Sequence, residues 1–427
     1  MRVSINYYRH LPRLALQAIE WTIVGVVVGV AVGLLMVAFR TVLVRAALLL
    51  WDYRVGWGVV IVPTLGFLCV GVITTFVPMA AGRGADLAVG QILRGTDISL
   101  RTIPAKFLAT VLTLASGGSG GREGPALQMA AAVGDWIARH LHFRTIPRQY
   151  IVISAVSASF GAMFHAPAAG ALFGCEVLYL RNIRYGALLA CILSSLCAYL
   201  VSVAFYPEML MQVPLDVCHY ALKVKHLPLF VLFGLVLGLI GPAYIGLFRA
   251  LEHGFHSMRC PVWLRTALGG VAAGGTVLLV QQLIGREFSV AGGSLVTLEI
   301  VLSRSEALPI LTLLILLGGK TVATFLTVSS GASAGLVAPS MFCGAVLGAL
   351  CGQAIGIDPS AFAVTGMLAF FATVAHVPLA MAFMAAETFH TGYTLPVAVA
   401  GLVGSWVAQR QSLFPSVEEL DVDISAP

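Results

Sequence analysis

The run Ser116-Gly117-Gly118-Ser119-Gly120-Gly121-Arg122-Glu123-Gly124-Pro125 breaks an otherwise apolar stretch and carries the sharpest chemistry in the chain. Five glycines between 116 and 124 cannot hold a regular helix and make a turn whose amides no side chain shields. Pro125 suits the first turn of a new helix, expected to run through Gln128 to Gly134. Such a helix start presents unpaired N–H donors and about half a positive charge, an anion site in the making. A second copy, Gly331 to Pro339, predicts the same break followed by another proline-started helix. Two such N-termini facing one point would hold a dehydrated anion without a full positive charge, so that it could also leave.

Arg122 and Glu123 are ionisable groups at membrane depth, where charge is expensive and usually functional. A carboxylate at Glu123 can take an anion's place at the helix end and vacate it when protonated or displaced; the alternative is a structural Arg122–Glu123 ion pair. Lys106 and Lys320 occur at matching positions and either hold their own segments together or attract anions. Glu176 and Glu387, late in apolar runs, suit a structural role on backbone amides or a helix end. His165 and His376, each followed by x-Pro, read as helix-entry or packing residues.

Other chemistries fit less well. The glycine run lacks the Gly-Lys-Ser/Thr ending and flanking strand of a phosphate-binding loop. Ser333 with His376 could form the nucleophile and base of an intramembrane serine protease. Both recur, however, as Ser119 and His165, and a duplicated dyad points to scaffold. Eight cysteines without CxxC spacing suggest neither a metal site nor a disulfide frame, and no cofactor is implied.

The elements that must position these residues are membrane helices. The chain has 427 residues, of which 59% are hydrophobic and 10% charged, well below the roughly one-quarter charge of soluble domains. Mean hydropathy is +0.94. Apolar runs cover 21–39, 56–79, 149–175, 186–206, 228–250, 264–285, 308–319, 361–386 and 394–408. They do not alternate as barrel strands do, so the fold class is all-α and polytopic, in a lipid bilayer. The net charge of +6 is not gathered with aromatics into a nucleic-acid groove. Arg2, Arg9 and Arg13 ahead of the first run place the N-terminus in the cytoplasm.

The chain is written twice. Lys106–Pro125 aligns with Lys320–Pro339 at an offset of 214, and ten of the twenty positions are identical where chance would give about two. At an offset of 211, Phe160, His165, Pro167, Ala169 and Glu176 meet Phe371, His376, Pro378, Ala380 and Glu387. The expected division is a first repeat over 1–215, a second over 216–415 and a short tail over 416–427. Paired repeats are a common transporter plan, with the site between halves near the bilayer midplane. The repeat alone leaves parallel and inverted arrangements both open.

Gly121-Arg122-Glu123-Gly124-Pro125, and Ser329-Ser330-Gly331-Ala332 followed by Gly335-Leu336-Val337-Ala338-Pro339, resemble motifs of the CLC family of chloride channels and proton-coupled chloride exchangers. The spacing agrees from about residue 80 to 415. The resemblance implies an inverted-repeat fold with many short or tilted helices, a homodimer in the cell (inner) membrane, and Glu123 as the gating glutamate. It implies that amides of Gly121, Arg122, Glu123 and Gly124 line an outer anion site and those of Leu336 and Val337 a central one. The expected function is transport of chloride or a similar small anion, channel-like or loosely proton-coupled. A stoichiometric proton/anion antiporter is the alternative.

Three departures from the family pattern stand out. Its first filter motif appears as Gly82-Arg83-Gly84-Ala85-Asp86, putting Arg83 where a serine normally touches the anion. That arginine would either bind anions more tightly or turn aside to pair, with Asp86 as one partner. Phe414 stands for the filter tyrosine, and Val177 for the inner proton-relaying glutamate of exchangers. The short tail over 416–427 is expected to carry no CBS domains. The preferred anion stays open among chloride, fluoride, nitrate and others.

Overall fold

The computed structural model describes residues 2–141, 143, 145–178, 185–208, 224–409 and 411–418, with the side chains of 2–16 and of 224 excepted. The Arg2, Arg9 and Arg13 side chains, Cys218, the boundary at 215 and the tail beyond 418 lie outside the described residues. Within them are sixteen α-helices and no strand. The first eight are α1 (Arg2–Leu49), α2 (Gly58–Phe76), α3 (Ala85–Arg94), α4 (Thr102–Ala115), α5 (Glu123–His140), α6 (Arg148–Phe164), α7 (Pro167–Glu176) and α8 (Leu188–Phe205). The second eight are α9 (Leu227–His256), α10 (Val262–Ile284), α11 (Leu295–Ser303), α12 (Ile310–Ser329), α13 (Val337–Ile355), α14 (Pro359–Ala375), α15 (Pro378–Thr388) and α16 (Thr394–Ala408). Eight of the described helices are long and apolar enough to cross a membrane. The others are short or lie inside the protein, where irregular backbone finds partners that lipid cannot offer.

The two sets of eight pack alike. α1 lies on α8 as α9 lies on α16, and α5 on α6 as α13 on α14. Across the halves, α2 meets its own counterpart α10, and α7 meets its counterpart α15. Contacts between equivalent elements mark a two-fold axis. The helix breaks that meet on it run antiparallel, Gly121 against Gly335. The choice the repeat left open therefore falls to the inverted arrangement.

Buried charges hold this frame. Lys106, fully buried in α4, donates to the carbonyls of Ala80, Ala81 and Gly82 at 3.1, 3.2 and 2.8 Å. Lys320, its mate in α12, donates to Val290 O at 3.3 Å, Gly292 O at 2.6 Å and Ser294 Oγ at 2.9 Å. Each ammonium thus spends its three protons on the loop that precedes the next short helix, α3 or α11. The glutamates work across the axis. Glu176, at the end of α7, accepts from the Leu379 and Ala380 amides that open α15, at 3.1 and 2.8 Å. Glu387 in α15 accepts from the Ala168 and Ala169 amides that open α7, both at 2.9 Å. Each satisfies two orphan donors of the other helix and sits at its positive end.

One expectation changes. The runs 149–175 and 361–386 are each two helices, and His165 and His376 close the first of the pair instead of opening the second. Both adopt left-handed φ, 53° and 56°. The amides of Ala166 and Val377 then reach back to Gly161 O and Ala372 O at 3.3 and 3.1 Å, the Schellman closure. Proline at the start of α7 and α15 follows directly.

Replacing Lys106 or Lys320 with methionine would leave three acceptors unpaired in a dry interior. Each change is expected to lower stability by about 3 kcal/mol. Thermal unfolding in detergent measures this, and unchanged midpoints in both variants would show that the ammonium groups do not hold the loops.

Candidate functional site

The two glycine breaks meet at the centre of the fold. Gly121 N–H donates to Gly335 O at 2.8 Å, and Gly335 N–H donates to Gly121 O at 2.6 Å. Only glycine permits this approach, because a Cβ on Gly335 would sit 2.8 Å from the Gly124 nitrogen. Flanking contacts repeat the exchange. Ser119 N–H donates to Thr327 Oγ1, and Ser333 N–H to Thr113 Oγ1, both at 3.1 Å. The Ser119 hydroxyl lies 2.9 Å from Thr324 Oγ1, and the Ser333 hydroxyl 2.8 Å from Thr110 Oγ1. Threonines spaced i, i+3 on α4 and α12 thus receive the breaks of the opposite half.

This pairing sets two helix starts side by side. α5 begins at Glu123 and α13 at Val337, and neither has a side-chain cap. Pro125 and Pro339 lie in the two first turns, where a missing N–H costs nothing. Glu123 is only 7% exposed. Its carboxylate turns back toward its own amide and across to the Ala338 amide in the first turn of α13. Oε2 is buried without a hydrogen-bond partner. It lies so near Gly121 that a Cβ there would strike it. The acid of one helix therefore occupies the N-terminus of the other, where Leu336 and Val337 are buried.

Among the described residues Arg122 makes no hydrogen bond and no ion pair, so the structural Arg122–Glu123 bridge is not formed. It lines a cavity of about 80 Å³ with Glu123, His165, Met163, Met341 and Met384. His165 Nε2 lies 3.1 Å from Ser202 Oγ. Arg40, stacked 4.1 Å over the Tyr206 ring, is close enough to act electrostatically on both Arg122 and His165. Sequence reasoning missed it, since it lies inside the long α1 with no repeat mate to mark it. The mouth beside Glu123 is therefore cationic at its rim and soft and apolar within.

On the other side of the glycine pair, Arg83 turns aside. Its Nη1 donates to Leu413 O at 2.9 Å, and Nη2 lies 3.3 Å from Glu252 Oε2. Its guanidinium covers the Phe248 ring at 4.8 Å. Asp86, the partner named from sequence, instead accepts from Ser416 N–H at 3.1 Å. Next to Phe248 in α9, Arg249 donates to Ser412 O at 3.0 Å and to Glu418 at 2.6 Å. α9 thus clamps both the Gly82–Gly84 loop and the 412–418 segment that carries the buried Phe414. Glu252 was missed as well; its only signal was a lone acid following an apolar run. Val177 is buried at the end of α7 beside Glu176.

The protease constellation does not form. The Ser333 hydroxyl engages Thr110, while His376 Nε2 lies 3.0 Å from Gln411 O. No group of three or more metal-ligating side chains occurs among the described residues.

Comparison with known proteins follows this geometry. A model of the voltage gated chloride channel family matches residues 66–409. A chloride/fluoride channel protein of Pseudomonas syringae pv. tomato is 28% identical over 341 residues, covering 79% of this chain and 74% of the relative. An H(+)/Cl(-) exchange transporter ClcA of Vibrio parahaemolyticus is 28% identical over 368 residues, with 82% and 76% covered. The crystal structure of a CLC-type fluoride/proton antiporter superposes with a TM-score of 0.81 at 21% identity, covering 93% of this chain and 98% of that one. These likenesses bear out the all-helical fold with its inverted repeats.

The Arg83–Glu252 pair, with side chains 15% and 28% exposed, is expected to couple by about 1 kcal/mol. A double-mutant cycle of Arg83→Leu and Glu252→Gln, read by thermal unfolding, measures it. Strictly additive effects would mean that the guanidinium is held by Leu413 O alone.

Proposed function

Because this chain belongs to the voltage gated chloride channel family, we propose that it carries small anions across the bilayer through the gap between the α5 and α13 starts, with Glu123 as gate. The single observation that supports this most is the Glu123 carboxylate lying on the Ala338 amide, with one oxygen unpartnered. A buried acceptor held by helix-end donors marks where a halide-sized anion fits, because both are anions without protons to give. Amides of Gly121, Arg122, Glu123 and Gly124 form the outer position in this reading, those of Leu336 and Val337 the central one, near Phe414. Arg40 and Arg122 raise the local anion concentration at the mouth without sitting on the bound ion. Chloride and fluoride are the first candidates, given the names of the relatives.

The reading extends to proton coupling. Protonation discharges Glu123 and weakens its hold on the amides, so it vacates the site. Val177 supplies no inner carboxylate to load that proton, which favours channel-like or loosely coupled transport. The stoichiometric antiporter is the second reading, favoured by the likeness to an exchange transporter. Each subunit of a homodimer holds a complete pathway in this proposal, with the N-terminus in the cytoplasm of the host cell.

Proteoliposomes test both parts. Anion flux is expected to rise as the pH on the Glu123 side falls. Glu123→Ala is expected to give flux that is several-fold higher at neutral pH and flat with pH; unaltered pH dependence in this variant would remove Glu123 from the gate. An anion gradient is expected to drive little proton movement uphill. A fixed proton-to-anion ratio, held at every gradient, would establish the antiporter instead.

A further inference from the structure

The back of the first glycine break opens onto a second cavity that the anion route does not use. It measures about 210 Å³ and is lined by Arg54, Arg286, Gln281, Ser289 and Trp51, among others. A neighbouring hollow of about 180 Å³ shares Gly56, Gln281 and Arg286 with it. No carboxylate lines either one. Arg286 is exposed and makes no hydrogen bond or ion pair among the described residues. Arg54 spends one amino group on Ala47 O at 3.3 Å, its guanidinium lies 5.3 Å over the Trp51 ring, and its buried Nε has no hydrogen-bond partner.

A second arginine, at a position that is not the repeat mate of Arg54, offers a comparison for that orphan. Arg54 lies against Gly117 chiefly through its Cδ, and in the second half Arg265 lies against Gly331 through its Nη2. Arg265 Nε donates to Ser330 O at 3.3 Å. One arginine backing a glycine break thus has its Nε satisfied by the protein itself, while the other lines the cavity with its buried Nε unpaired. A desolvated donor without a partner is costly and rarely left in place. The missing partner is an acceptor that the polypeptide does not provide.

Position narrows the choice of acceptor. The ends of three apolar spans, α1 at Leu49, α2 at Gly58 and α10 at Ile284, converge here, which sets the cavity at the edge of the hydrocarbon layer. Trp51, Tyr53 and Trp57 stand exposed around it, as aromatic side chains do at the headgroup level. We infer that this cavity binds a phosphate group, that of an anionic lipid headgroup at the bilayer edge. Arg54 and Arg286 are its ligands, and Gln281 and Ser289 its neutral donors. Because Arg54 packs on Gly117, an occupied cavity stiffens the break that carries Glu123 from behind.

The test uses the full chain in detergent, independently of transport. Retention of phosphatidylglycerol is counted by native mass spectrometry, with diacylglycerol as the probe without phosphate and inorganic phosphate as the soluble competitor. Wild type is expected to retain phosphatidylglycerol over diacylglycerol. Arg54→Gln and Arg286→Gln should each lower that retention about tenfold, while Arg265→Gln leaves it unchanged. Arg286 makes no hydrogen bond or ion pair among the described residues, so its variant keeps the test valid if Arg54→Gln destabilises the protein. Displacement of the lipid by millimolar inorganic phosphate would support the site and assign it to a soluble anion. Equal retention of both lipids, or equal loss in all three variants, would overturn the proposal.

Discussion

Two backbone hydrogen bonds, Gly121 to Gly335 and back, govern the rest of this structure. They form only if both chains lack side chains at the crossing and both helices have ended before it. Meeting this condition places two helix N-termini at one spot and leaves their donors without caps. Everything adjacent serves to hold that exchange: threonines of α4 and α12 satisfy the flanking serines, and the two buried lysines fix the loops beside it. A single bond of this kind contributes only about 1 kcal/mol net. Its force here is geometric, since losing it would leave polar backbone unpaired where no water replaces it.

The same economy explains the buried acids and bases outside the site. In soluble proteins a buried ammonium usually finds a carboxylate. Lys106 and Lys320 find carbonyls, and Glu176 and Glu387 find amides. These side chains therefore pair with helix ends and loop carbonyls, and none of the four forms an ion pair among the described residues. The arrangement suits a fold built from broken helices, each of which creates orphan groups that a continuous span would not have.

Much of this was legible in the sequence because duplication amplifies a weak signal. One glycine-rich break is ambiguous; two, aligned without a gap across twenty residues, predicted paired helix starts and the matching lysines. What stayed hidden lacked a mate or depended on distance. Arg83 meets Glu252 across 169 residues, and nothing local distinguishes that acid from Asp86, three positions away. α3 and α11 are ten and nine residues long, too short for an apolar run to announce them. The prolines after His165 and His376 marked a helix boundary in runs whose hydropathy does not change, but not that the histidine closes the first helix in a left-handed turn. The identity of the mate across the axis, Glu176 for α15 and Glu387 for α7, is a property of the inverted packing and has no trace in spacing.

The duplication is faithful in scaffold and unfaithful in charge, and that difference gives the molecule a direction. At the offset of 214, Arg122 falls on Leu336 and Glu123 on Val337. Two symmetric breaks each bearing an acid would place two carboxylates on one set of amides, where like charges repel and one must be protonated. Two symmetric breaks with none would leave an anion nothing to compete with. In the proposed function, one acid against one apolar start gives a site with two alternative occupants of the same charge, the protein's own carboxylate and the anion from solution. In the proposed function, exchange between them is the transport step, and it depends on their being close in affinity. Amides alone, without a full cation, keep both affinities modest. Arg83, turned onto Glu252 and Leu413 O, keeps its charge off the path and preserves that balance. Swung into the gap, the same guanidinium would hold an anion as tightly as a carboxylate, and passage would stop.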